Sequence, residues 1–272
     1  DEIGFLHVND LTQDGVSLAY TEEETILVVD LATPLLPGAS TVLDMTFEGQ
    51  VPVQIRRSGR NNKEGVDLSM TQWYPKLVEY DKDGWHPMPY LNMGEFYSEF
   101  GSFDVTISLP KEYRVMATGD MFNSEKELQW LDSLALIGNS LLSLDNKQFK
   151  NKIKHLQKNK KTNLKKDGRR GKLNRYLGYK TLRFKQNNVH DFAWFADPNW
   201  IVNKGELWLE KSQKKVTLWS MYLPKNADIW RRSIEYLHDS GFWYSKFYGD
   251  YPYSHITAVD GDMSAGGGME YP

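Results

Sequence analysis

The chain has 272 residues, 40% of them hydrophobic, with 33 basic residues against 36 acidic ones and a formal charge of −3. That length supports a sizeable core in one large domain or two smaller ones, and the near-balance of charge gives no basis for nucleic acid or a strongly charged membrane surface as main partner. With no cysteine, a disulfide framework, thiolate zinc ligation and a cysteine nucleophile are all excluded, while the compartment stays open between cytoplasm and export.

At the amino end, Asp1-Glu2-Ile3-Gly4 has no basic cap followed by an apolar run, so no signal peptide is predicted. The segment reads as a start inside a longer protein. The first half is strand-rich. Thr25 to Leu31 is a strand candidate. Leu43, Met45 and Phe47 alternate with Asp44, Thr46 and Glu48, and Phe103, Val105, Ile107 and Leu109 alternate with Asp104, Thr106 and Ser108, up to Pro110. Period two with one apolar face predicts half-buried antiparallel strands. Arg114 to Thr118 adds another candidate, and Pro34, Pro37-Gly38, Gly59 and Asp83-Gly84 punctuate the run as turns. The expected fold is mainly β, a β-sandwich or curved sheet.

The middle changes character. Ser124 is placed to cap a helix opening with Glu125-Lys126-Glu127, whose acidic residues suit a first turn. Leu128, Leu131, Leu134 or Ala135, and Leu142 give it an apolar side. The most apolar stretch of the chain, Leu131 to Leu144, carries Asp132, Ser133, Asn139, Ser140 and Ser143 and is shorter than the roughly 20 residues of a spanning helix. A basic stretch follows from Lys147 to Arg175. No aromatic residue lies between Lys150 and Lys172 to stack on a base, so about 124–179 reads as a solvated helix and loop inserted between two strands.

Strands resume at Thr181 to Lys185, Glu206 to Leu209 and Val216 to Leu223. His190, Phe192 and Trp194 mark a further core strand, with His190 as a hydrogen-bonded structural residue. Trp230, Ile234, Leu237, Gly241, Tyr244 and Tyr248 recur at helical spacing and predict one helix face, capped by Asn226 and stopped by Gly249 and Pro252. A domain boundary is expected between Asn199 and Lys215, where a strand-helix-strand unit begins.

None of the six histidines, His7, His86, His155, His190, His238 and His255, lies four residues from another. No HExxH pair, phosphate loop or Gly-x-Ser-x-Gly elbow is present, so no catalytic constellation assembles from these residues. The segment that stands out is Gly266-Gly267-Gly268-Met269-Glu270-Tyr271-Pro272. Adjacent glycines let another backbone approach closely, and the carboxylate after them could hold a cation near that backbone. Met269 reads as a packing residue.

Gly267-Gly268-Met269-Glu270-Tyr271 resembles the Gly-x-Met-Glu-Asn strand of the alanyl aminopeptidase family of gluzincin zinc metallopeptidases, which includes the leukotriene hydrolases. Further stretches follow in that family's order: Pro34 to Gly38; Thr71-Gln72-Trp73-Tyr74-Pro75; Gly94-Glu95-Phe96-Tyr97 leading into Phe103-Asp104-Val105; Ala117-Thr118-Gly119; His190-Asp191-Phe192-Ala193-Trp194; and Phe247-Tyr248-Gly249 with Tyr251-Pro252. The resemblance covers the chain outside the insertion. It implies a curved β-sandwich or saddle domain over 1–210 and, over 211–272, the start of a thermolysin-like α+β catalytic domain.

The same resemblance implies a parent that is a zinc-dependent aminopeptidase acting on peptides. Its zinc ligands and general base would lie beyond Pro272, so this chain by itself is expected to be inactive and zinc-free. It implies substrate binding through the backbone of Gly267 and Gly268, beside Met269, and recognition of the substrate's free amine by Glu270, with Gln72 nearby. Tyr74 stands where relatives have glutamine or glutamate, and Tyr271 where they have asparagine. Two alternatives stand beside this reading: a non-catalytic aminopeptidase-like scaffold, and an independent β-sandwich binding module using Trp73 and Trp85. Self-association through an incomplete second domain is also expected.

Overall fold

The structure is a computed structural model that describes residues 3–53, 57–61, 65–89, 91, 97–157, 178–261 and 267–272, and the backbone of 158–166. It is mainly β and built from several sheets. The strands are β1 Phe5–Gln13, β2 Val16–Ser17, β3 Tyr20–Glu23, β4 Ile26–Val29, β5 Leu43–Gln50, β6 Gly59–Arg60, β7 Leu68–Met70, β8 Tyr80–Asp81, β9 Gly84–Trp85, β10 Gly101–Pro110, β11 Arg114–Ala117, β12 Asp120–Phe122, β13 Tyr179–Val189, β14 Trp194–Asp197, β15 Ile201–Leu209, β16 Lys214–Tyr222 and β17 His255–Val259. The long helices are α1 Glu125–Leu142, α2 Asn146–Lys166 and α3 Ser233–Tyr248.

Alternation decides which strands hold a core. On β10 the apolar face packs inward: Ile107 and Leu109 are buried with Leu182 and Phe184 of the paired strand β13, and with Phe192, Ala196 and Val115. The sheet β11–β14–β7–β6 supplies the other side of that cluster. The expectation for β5 is corrected. Leu43 and Phe47 are 42% and 37% exposed, because β5 pairs only with β1 in a three-stranded sheet and no buried cluster of the described residues draws on them.

The helical insertion also departs from expectation. α1 is part of the core: Leu131 and Ala135 are buried among Trp200, Val202, Trp219 and Met221. The buried face is Leu131, Ala135, Gly138 and Leu141, while Leu128 is exposed. At Gly138 the helix meets β15 so closely that a Cβ would sit 1.9 Å from the Val202 carbonyl oxygen. Asn139 seals the contact, donating to the Lys204 carbonyl at 2.9 Å and accepting from Asn203 at 3.1 Å. Ser124 does not cap the helix, since its hydroxyl donates to the Phe122 carbonyl. α2 buries Phe149 and Ile153 beside Tyr222. The side chains of 158–166 and the run from 167 to 177 lie outside what is described.

The carboxyl-terminal third is a β-α-β unit. β15 and β16 form an antiparallel hairpin, and β16 pairs in parallel with β17 across the crossover helix α3, the arrangement a helical connection permits. The single helix expected from Asn226 to Gly249 is broken: one turn, Ala227–Trp230, precedes α3. The Asn226 side chain donates to Asp260 instead of capping. α3 buries Ser233, Gly241 and Ser245, and Gly241 lets the helix close on Leu207 and Ile256. Tyr244 and Tyr248, expected on the apolar face, are 67% and 82% exposed.

Gly138→Ala is predicted to destabilise the fold by about 1–3 kcal/mol through overpacking, although alanine is the better helix former. Leu136→Ala, on the exposed side of the same helix, is predicted to stay within about 0.5 kcal/mol. Urea denaturation of both variants checks the pair; a neutral Gly138→Ala would contradict the close approach.

Candidate functional site

The segment 267–272 lies against the β11–β14 pair. Thr118, at the end of β11, is 4% exposed. It receives the Ala193 N–H on its Oγ1 at 3.1 Å and donates to the Pro272 carbonyl at 2.7 Å. The Tyr271 ring packs on Phe195 of β14, centroids 6.1 Å apart. Gly267 has φ of +75°, a left-handed conformation that suits glycine. Met269 is half-buried, consistent with packing, whereas Gly267, Gly268 and Glu270 face solvent. Gly266 lies outside the described residues, as do Gly94, Glu95 and Phe96.

Gln72 sits in the loop 71–76, which follows β7. This loop is held by one carboxylate. Asp191, 3% exposed, accepts from Gln72 Nε2, from the Tyr74 hydroxyl at 2.9 Å and from the Phe192 N–H at 2.8 Å. Lys76 Nζ lies 3.5 Å from it. The Trp73 indole donates to the Phe192 carbonyl at 3.0 Å, and its ring meets Trp194 edge-on. Gln72 adopts φ of +51°, which costs a non-glycine residue roughly 1–2 kcal/mol and persists because these bonds over-determine the loop. Burial, and next the charge and hydrogen bond of Asp191, hold the Tyr74 phenol well above its usual range.

Gln72 and the segment 267–272 therefore attach to the same short stretch, Asp191 to Phe195. Sequence reading singled out Gln72, Gly267, Gly268, Met269 and Glu270 as candidates, but not Asp191 and Thr118, which hold the two segments in place. Both stand in stretches quoted for the resemblance, yet an aspartate between His190 and Phe192 carries no periodic signal of burial.

The histidines do not converge. His190 packs on Phe100, with ring centroids 5.5 Å apart, and His86 pairs with Asp81 at 2.8 Å. His255 donates through Nε2 to the Gly119 carbonyl at 2.9 Å, leaving Nδ1 to accept from Thr257. Among the described residues no group of three His, Asp or Glu side chains could hold a metal ion. An open groove of about 970 Å³ lies elsewhere, between the start of α3 and the α1–α2 junction, lined by Asn146, Lys150, Asp228, Arg231, Glu235 and His238. None of the candidate residues borders it. No helix among the described residues is long and apolar enough to cross a membrane. Of the two aromatics proposed for an independent binding module, Trp73 is tied into the core and Trp85 is 59% exposed.

The fold has counterparts among solved structures. Aminopeptidase A of Legionella pneumophila, in complex with aspartic acid, matches 93% of this chain with 23% of its own, at 11% identity and a TM-score of 0.52. The M1 zinc metallopeptidase of Deinococcus radiodurans matches 95% of this chain with 47% of its own, at 15% identity and a TM-score of 0.49. A mutant of that enzyme bound to a Tyr-Ser-Ala substrate matches 93% of the chain with 46% of its own, again at 15% identity and a TM-score of 0.49. No protein-family profile matches the sequence, and no curated protein does. The chain thus shares its fold with part of the Legionella aminopeptidase. The chain spans about half the length of the Deinococcus enzyme and under a quarter of the Legionella one.

Burial also raises Tyr113 and Tyr222, and lifts Tyr251 to about 12. In the unfolded chain these phenols, and Tyr74, ionise near 10, while in the folded chain they keep their protons. Stability is therefore undiminished below pH 10 and falls as pH climbs toward and past 12. Urea midpoints measured from about pH 8 to about pH 11.5 should decline only at the upper end of that window.

Proposed function

We propose that this chain is the front section of a zinc-dependent aminopeptidase, which hydrolyses the amino-terminal bond of peptides. One observation carries the reading: the Gln72 loop is held by Asp191, and the two residues that follow the Gly-Gly-Met-Glu run, from the other end of the chain, are held close by, Tyr271 on Phe195 and Pro272 on Thr118, which itself bonds Ala193. In this role Gly267 and Gly268 offer backbone groups to an extended peptide, Met269 packs beneath, and the Glu270 carboxylate and Gln72 receive the substrate's ammonium. A charge-assisted hydrogen bond of that kind contributes roughly 1.5–3 kcal/mol once desolvated. Glu270 is exposed in this chain, so the bond reaches that strength only when the cleft is closed over it. Requiring a free ammonium confines cleavage to the first bond.

The residues described do not fit a zinc ion. On this reading the ligands and general base belong to sequence outside this chain, and these residues bind and orient substrate only. The β-sandwich or saddle domain would run to about 210, interrupted by the insertion at about 124–179. A thermolysin-like domain would begin at 211–272. Because the β15–β16 hairpin crosses position 210, its sheet favours drawing the boundary just before Ile201, inside the expected Asn199–Lys215 interval.

A specific observation favours a second reading, a non-catalytic scaffold. Tyr74 and Tyr271 replace polar residues of the family pattern, and the Tyr74 hydroxyl is committed to Asp191. Assay on amino-acid arylamides separates the two: the full-length protein should hydrolyse them and lose activity to a chelator, while this chain alone should not. A zinc-loaded, inactive full-length protein would decide for the scaffold. The exposed Trp243, Tyr244, Phe247 and Tyr248 of α3 would pack on the rest of the catalytic domain, so the isolated chain should self-associate in sedimentation runs. A monomer at high concentration would oppose that packing.

A further inference from the structure

Resting on the aminopeptidase reading, we infer that Asp191 is a positioning residue for amine recognition: it takes the amide N–H of Gln72 and so turns the Gln72 carbonyl toward the substrate's ammonium. An asparagine or glutamine amide presents donors at one end and an acceptor at the other, and its neighbours decide which way it faces. An ionised carboxylate accepts only. Asp191 is buried and bonded to Gln72 Nε2, so the NH2 end of Gln72 faces inward and Oε1 points away from the carboxylate. Among the described residues nothing donates to Gln72 Oε1. That oxygen is left as an acceptor, on a loop held by Asp191, four residues from Phe195, on which Tyr271, the residue after Glu270, packs.

The same carboxylate removes the competing donor. The Tyr74 hydroxyl is spent on Asp191 Oδ1, so the tyrosine at the family's glutamine or glutamate position has no part in recognition, and Gln72 carries the loop's share alone. The backbone reinforces the geometry. Gln72 holds φ of +51°, and Trp73 and Tyr74 on its carboxyl side are tied to Phe192 and Asp191, so the side chain has little freedom to turn over. A hydrogen bond donated to a carboxylate also polarises the amide and strengthens its carbonyl as an acceptor. Lys76, 3.5 Å from Asp191, offsets the buried charge. What the loop shows an incoming amine is an oriented dipole more than a net anion.

The test compares two zinc-binding inhibitors of the full-length protein, L-leucine hydroxamate and its des-amino counterpart. Wild type is expected to prefer the amine-bearing compound. Asp191→Asn, which lets the Gln72 amide turn over, should lower that preference about tenfold or more, with the affinity for the des-amino compound unchanged. A merely structural defect would weaken both. Gln72→Met, which has no amide, should lose preference to the same extent, and the double variant should lose no more than either single one. If Asp191→Asn does not fold, Gln72→Met still decides, because full retention of preference in that variant overturns the inference. Equal loss of both affinities in a folded Asp191→Asn protein overturns it too. A wild type that hydrolyses arylamides and discriminates the compounds, with Asp191→Asn discriminating as well, sinks this inference alone. A wild type that neither hydrolyses nor discriminates sinks the aminopeptidase reading together with it.

Discussion

A carboxylate removed from water must have its hydrogen bonds made by the protein, since burial without partners costs several kcal/mol. Among the described residues, three buried aspartates impose that demand and tie distant segments together in meeting it. Asp191 gathers the loop 71–76. Asp197, 0% exposed, accepts from the Asp67 and Asn199 N–H groups at 3.1 and 2.6 Å, holding the entry to β7 beside the turn into β15. Asp260, just after β17, accepts from the Leu223 N–H and the Asn226 side chain at 3.1 and 2.7 Å, clamping the end of β16 to the start of the helical crossover. Each carries a constraint between residues distant in sequence, and Asp191 and Asp197 lie where the chain passes from one sheet to the next.

The packing between these junctions follows from small residues as much as from large ones. α1 reaches the core because Gly138 admits the Val202 carbonyl, and α3 because Gly241 admits Leu207 and Ile256. Large side chains then fill what the close approaches leave: Trp200, Tyr222, Phe149 and Phe184 are all buried below 2% exposure. The helical insertion thus serves as a wall of the core under β15 and β16. That places it next to the β-α-β unit in space, though far from the loop that carries Gln72 in sequence.

Strand identity was largely legible. β10 falls where alternation predicted it, since period two is a local property of the chain, and β11, β13 and β16 fall on the other strand candidates. Which face of a strand is covered was not legible for β5, whose alternation is as regular as that of β10. Alternation says that a face is apolar, while burial depends on whether another layer arrives to cover it. The inward face of α3 was misjudged at Tyr244 and Tyr248 for a related reason. Both aromatics keep the helical spacing, but the surface available to the helix ends at Gly241 and Ser245, and the rings stack on the outside instead. The candidate site was legible in its parts. Gln72 and the Gly-Met-Glu segment could be named from residue order, but their shared anchor could not.

Sequence alone determined the β character of the chain, the strand-helix-strand order of its last third, and the absence of cysteine chemistry, because composition and short-range periodicity are set by neighbouring residues. The tertiary structure decided which apolar faces become core, that the insertion is structural, and that Asp191 and Thr118 join two segments lying roughly two hundred residues apart in the chain. Those outcomes rest on hydrogen bonds and close approaches between residues remote in sequence, and no local pattern encodes which buried donor will find which buried acceptor.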